Sequence, residues 1–132
     1  TIRRFEDIQA WQEARVLASE IYRVTNSGDF ARDFGLKDQI RRASVSVVSN
    51  IAEGFEKDSP REFVRFLRIA KGSAGEVKRN LCVTLDNGLL DENEFRCLYE
   101  RASSISRLLA GFIKYLENSI EKNAVLNPQL AT

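Results

Sequence analysis

Residues 41–54 read Arg41-Arg42-Ala43-Ser44-Val45-Ser46-Val47-Val48-Ser49-Asn50-Ile51-Ala52-Glu53-Gly54, and the spacing of the apolar positions in this run decides the fold. Successive residues of a helix fall about 100° apart around its axis. Leu36, Ile40, Ala43, Val47 and Ile51 then make one apolar stripe, and Val45, Val48, Ala52 and Phe55 make a second beside it. A surface helix of a solitary bundle needs one stripe, a little over about 100° wide. Two stripes call for two neighbours, and the second is expected to be another copy of the chain. Val45, Val48, Ala52 and Phe55 are accordingly the expected subunit interface.

The pattern continues outward in both directions. A first helix is expected from Glu6 to Thr25, with Ile8, Trp11, Ala14, Ala18, Ile21, Tyr22 and Thr25 on one face. Asn26-Ser27-Gly28-Asp29 stops it, since glycine tolerates the positive φ of a helix end. A connector through Phe30 and Phe34-Gly35 leads into the second helix, over residues 36–55. Ser59-Pro60-Arg61-Glu62 is a capping box with proline at the first helical position, so a third helix is expected over residues 60–86. Its stripe is Phe63, Phe66, Leu67, Ala70, Ala74, Val77, Leu81, Thr84 and Leu85, and Asn87-Gly88 ends it. Asp91 and Glu94 form a second box, opening a fourth helix over residues 92–122 with Phe95, Leu98, Ala102, Ile105, Leu109, Phe112, Leu116 and Ile120 on one face. At 1.5 Å per residue that helix is about 45 Å long. Residues 123–132 lack periodicity and are expected to be a flexible tail. Four amphipathic helices with short turns describe an all-α, antiparallel up-down-up-down four-helix bundle over residues 1–122, a single domain.

Composition narrows the function. The 132 residues carry 43% hydrophobic and 30% charged side chains, which suits a soluble helical protein with a real core. No apolar run approaches the 18 or so residues of a membrane span, and Thr1 to Phe5 lack the apolar stretch of a secretory signal. The expected location is the cytoplasm. There is no histidine, which removes the commonest general base and the usual imidazole metal ligand. Ser44, Ser46 and Ser49 have no base to activate them, and no phosphate loop, nucleophile elbow or metal-spaced cysteine set is present. No catalytic residue, metal site or cofactor is expected. Cys82 and Cys97 read as two reduced thiols or, alternatively, as a disulfide across the turn between the third and fourth helices.

Asn50-Ile51-Ala52-Glu53-Gly54, followed by Ala70-x-Gly72-Ser73-x-x-Glu76, is a specific combination. With Trp11, Ala14, Gly35-Leu36, Gln39, Arg42-Ala43, Ser46, Ser59, Glu62-Phe63 and Phe66-Leu67, it makes the chain resemble the four-helix-bundle proteins encoded in intervening sequences of bacterial 23S rRNA genes. The likeness runs from Phe5 to about Glu121. It implies a homopentamer of antiparallel bundles around a central channel, without an established activity. It also implies a fold similar to the accessory subunit of diversity-generating retroelements, which binds RNA and a reverse transcriptase. The candidate partners are therefore a second copy of the chain, RNA or DNA, and a reverse transcriptase; no membrane is expected.

The remaining polar residues carry two readings each. Arg42, Ser46, Asn50 and Glu53 share an arc of the second helix, and Ser73 and Glu76 lie on the third. The structural reading has them hydrogen-bonded across helices to fix the bundle or the subunit contact. The ligand reading uses Glu53 and Glu76 for a hard cation. Gly72 and Gly75 in mid-helix each cost up to about 1 kcal/mol against alanine. They permit a close helix approach, inside the bundle or across subunits, or else a kink; Gly72 joins the expected interface. Finally, Arg61, Arg65, Arg68 and Arg79, with Lys71 and Lys78 nearby, give the third helix a basic face, to which Arg41 of the second helix is added as a candidate. It binds nucleic-acid phosphates or is a solvated face paired with acids of the first or fourth helix. Two functions follow: a non-catalytic self-assembling scaffold or adaptor, or a nucleic-acid-binding accessory subunit.

Overall fold

The computed structural model describes residues 2–126, with side chains over residues 2–124. Among the described residues all regular structure is helical: a 3-10 turn at Phe5–Asp7, then α1 (Gln9–Val24), α2 (Gly28–Arg32), α3 (Phe34–Phe55), α4 (Pro60–Asp86) and α5 (Glu92–Leu126). The four long helices are the four expected. α3 packs most extensively on α4 and α4 on α5, while α1 lies against both α3 and α5, so the packing fits a bundle.

Local chemistry explains the ends. Ser59 Oγ accepts from the Glu62 N–H at 3.4 Å, and Asp91 Oδ1 accepts from the Glu94 N–H at 2.8 Å. Each box is only half closed, because the carboxylates of Glu62 and Glu94 turn away to Arg65 and Arg23. Gly88, at φ +67°, ends α4. Its N–H reaches the Leu85 carbonyl and the Leu89 N–H reaches the Thr84 carbonyl, the pairing of a left-handed glycine stop.

Four features differ from the sequence reading. Ile8 is extended (φ −79°, ψ 120°) and almost fully buried, so the first helix is broken there and α1 proper begins at Gln9. The connector contains α2, which Gly28 opens at φ +65°; it exists to drive Phe30, 1% exposed, into the core. Asp33 Oδ1 accepts from the Leu36 N–H at 3.1 Å, so α3 starts at Phe34 rather than at Leu36. At the other end α5 continues past Lys122 to Leu126, through the start of the expected tail, and residues 127–132 lie outside the described residues.

The core follows the predicted stripes with local substitutions. Ile40, Ala43, Val47 and Ile51 of α3 are buried, as are Leu67, Ala70, Ala74, Val77 and Leu81 of α4 and Leu98, Ala102, Ile105 and Leu109 of α5. On α1, Leu17 rather than Tyr22 points inward; Tyr22 is 45% exposed. Phe63 joins Phe55 and Phe112 edge-on at ring separations of 6.0 and 5.2 Å.

Of the glycines, Gly54 is the one held closest against a neighbouring helix. A Cβ there would stand 2.7 Å from Phe66 Cβ and 3.0 Å from Phe63 Cδ1. Gly54→Ala is therefore expected to destabilise the fold by roughly 1–3 kcal/mol, as overpacking does. Gly72→Ala, with nothing within 4 Å of the new methyl, is expected to stabilise it by about 0.5–1 kcal/mol through helix propensity. Urea unfolding of the two variants checks both signs.

Candidate functional site

The second stripe of α3 divides. Phe55 packs on Phe63, and Ala52 and Val48 lie half-buried against the core, because α1 and α4 already give α3 two neighbours within one chain. The stripe is therefore not wholly free, as the sequence reading required; Val45 alone is left 41% exposed. Val45 does not stand in isolation. With Val48 it lines a groove of about 470 Å³ whose other wall is Arg15, Ala18, Ser19 and Tyr22 of α1. That groove shares Arg15 and Ser19 with a second of about 520 Å³ that adds Trp11 and the 43% exposed Val16. The α1–α3 face thus presents Trp11, Val16, Ala18, Tyr22, Val45 and Val48 together. Val16 was detectable in sequence only as an apolar residue off the core stripe. The Trp11 indole N–H, buried beneath this face, has no acceptor among the described residues.

Gly72 is not part of it. It lies exposed on α4 in a cavity of about 370 Å³ lined by Arg68, Lys71, Gly72, Gly75 and Arg79. The expected close approach inside the bundle does not occur there.

The polar arc joins α3 to α4. Ser46 Oγ and Ser73 Oγ are 2.8 Å apart, and Asn50 Nδ2 donates to the Ser46 carbonyl at 2.8 Å and to Ser46 Oγ at 3.0 Å. Arg42 and Glu53 do not take part: they pair on the surface of α3 with Asp38 and Lys57. Glu76 is half-buried with no ion pair, and among the described residues no three acidic, cysteine or histidine side chains gather as a metal set.

The basic residues sort by partner. Arg65 bonds Glu62 through Nε at 2.9 Å and Nη2 at 3.1 Å, which holds the Glu62 carboxyl below its ordinary range. Arg68 pairs with Glu117 across α4 and α5, and Lys78 lies over the Tyr99 ring. Arg61 also has a bonded partner. Lys71 and Arg79 make no ion pair among the described residues. Arg41 belongs elsewhere: its Nε donates to Thr25 Oγ1 at 2.8 Å, its Nη2 to the Tyr22 carbonyl at 3.4 Å, and its guanidinium lies 4.2 Å from the Tyr22 ring centre. It is a latch on the C-terminal turn of α1, where a cation also meets the negative end of the helix dipole. On the opposite flank Arg101 holds Glu13 at 3.2 Å and Glu20 at 2.6 Å, and Arg23 holds Glu94. Cys82 and Cys97 are free and exposed.

With this geometry in place, comparison with known proteins settles the family. The family model described as 23S rRNA-intervening sequence protein matches residues 6–111. The chain belongs to that family. A crystal structure of a protein of unknown function from the S23 ribosomal protein family of Bacteroides thetaiotaomicron VPI-5482 has the same fold, with a TM-score of 0.74 and 22% identity over 80% of this chain and 98% of that one. No curated protein matches significantly. No helix among the described residues of this 23S rRNA-intervening sequence protein is long and apolar enough to cross a membrane.

Replacing Arg41 with methionine is expected to lower the unfolding free energy by about 1–2 kcal/mol, from the lost charge-assisted bonds to the end of α1. Hydrogen exchange should quicken in residues 21–25 rather than across the whole chain. Uniform quickening would mean that Arg41 acts on the whole bundle and not on that turn.

Proposed function

We propose that this chain is a non-catalytic scaffold or adaptor, built as an antiparallel up-down-up-down bundle that assembles with copies of itself into a ring. The carrying observation is the α1–α3 face, where Val16, Tyr22 and Val45 are each more than 40% exposed beside half-buried Val48. Apolar side chains grouped around grooves mark protein interaction sites more often than scattered ones do. Burying them returns roughly 25 cal/mol per Å² of apolar area, against the several kcal/mol or more that association costs. Contacts beyond this face are therefore needed for a stable assembly. Membership in a family that the sequence resemblance associates with pentamers supports a closed ring, in which one face meets a different face of the next copy.

A non-catalytic role agrees with the chemistry of these side chains. Many of the exposed acids and bases are held in surface ion pairs, and the clustered hydroxyls of Ser46 and Ser73 bond to each other across α3 and α4.

Val45→Asp puts a charge on this face at an exposed position, so the fold should tolerate it. Light scattering should give a multiple of the chain mass for the native protein and a smaller assembly or single chains for the variant. Its urea midpoint, read at a concentration where both are single chains, should be unchanged. A native protein that is a folded single chain at high concentration would overturn the proposal.

A further inference from the structure

The geometry points to the cavity over Gly72 and Gly75 as a binding site for phosphate groups. Three observations converge on it. Its lining consists of Arg68, Lys71 and Arg79 around two glycines one turn apart, with no carboxylate and no apolar side chain among them. The glycines are not there for the chain's own packing: a Cβ on Gly72 would meet nothing within 4 Å, and one on Gly75 would meet only Arg79 Nη1 at 3.3 Å. Glycine in mid-helix is nevertheless disfavoured, so a group from outside is what benefits from the bare backbone. The third observation is the sorting of charge. Arg65 is neutralised by Glu62, Lys78 lies on Tyr99, and Arg41 is held at the end of α1. Lys71 and Arg79, which make no ion pair among the described residues, flank the glycines. Arg68 can turn from Glu117, an exposed pair of the kind that is weak in water.

Guanidinium and ammonium groups on three sides of an open floor suit a tetrahedral oxyanion: arginine supplies paired donors and lysine a point charge. No aromatic side chain lines the cavity, so recognition is of phosphate and not of bases. The ligand is a phosphodiester strand or a free polyphosphate, the two sources of that chemistry. Glu76, one turn beyond Gly72 and half-buried, does not line the cavity. This inference does not depend on the assembly proposed above.

The test uses the full chain in whatever assembly it forms, with a fluorescent oligouridylate and with inorganic pyrophosphate as probes. The native protein should bind the labelled strand at low salt. The double substitution Lys71→Gln with Arg79→Gln should weaken binding about tenfold and reduce the salt slope by about 1.4, the value for two single-strand phosphate contacts. Lys114→Gln, which removes one α5 charge that does not line the cavity, should change affinity less than twofold. Gly72→Leu, which adds bulk and no charge, should weaken binding while light scattering gives an unchanged mass. Displacement of the strand by pyrophosphate assigns the site to free polyphosphates as well; failure of pyrophosphate to compete assigns it to the strand. Three results would each overturn the inference: no binding of either probe by the native protein, an equal loss in Lys114→Gln, or a Gly72→Leu variant that changes mass and keeps its affinity.

Discussion

The α3–α4 seam is the constraint on which the rest of the molecule depends. Two points fix it. At Gly54 the absence of a side chain lets α3 approach Phe66 and Phe63, and at Ser46 and Ser73 two hydroxyls meet at 2.8 Å. The first point is steric and the second is polar, so they specify different things. Gly54 sets how close the helices come, and the serine pair, with Asn50 donating into it, sets their register. A slide of one residue would part the hydroxyls by about 1.5 Å along the axis and leave part-buried polar groups without partners, which is costly.

Fixing Ser73 toward α3 determines what the far side of α4 presents. At about 100° per residue, Arg68, Lys71, Gly72, Gly75 and Arg79 all fall on the side turned away from Ser73. The basic cavity is thus a geometric consequence of the seam. The same logic governs α1. Ile8, Trp11, Ala14, Leu17 and Ile21 are turned inward, which rotates Val16 and Tyr22 to the surface. There they meet the part of α3 that neither α1 nor α4 covers. The bundle's inner order and its outer surfaces are therefore one arrangement viewed from two sides.

Much of this was legible in the chain because it is local. Stripe spacing placed the long helices, Ser59 and Asp91 marked two starts, and Asn87-Gly88 marked a stop. The departures share a different cause. α2 is five residues long, too short for periodicity to register, and it forms because the core takes Phe30. Ile8 is extended because its burial outweighs one more turn of helix. Gly54 looks in sequence like any glycine near a helix end; only the presence of Phe66 makes it a contact. Arg41 and Arg79 are equivalent letters in a charge count, and only the fold puts the first against Thr25 and Tyr22 and leaves the second beside glycine. Val45 stays exposed while Phe55 is covered, because the aromatic partner that covers Phe55 comes from the next helix.

A net charge of +1 says little about a surface on which charges are paired unevenly. Some of the acids tie helices together: Glu13 and Glu20 on Arg101, Glu94 on Arg23, Glu117 on Arg68. These exposed pairs contribute little stability individually, yet each removes a cation from the field that an approaching anion meets. What remains positive is local, and locality suits a repeating assembly. A ring that uses the α1–α3 face would carry one copy of the α4 cavity per subunit. Weak sites displayed at fixed spacing bind a polyanionic strand far more tightly than one site does, because each contact after the first is intramolecular. A nearly neutral chain assembled in that way would combine a modest field per subunit with strong engagement of an extended ligand, and assembly rather than net charge would set the affinity.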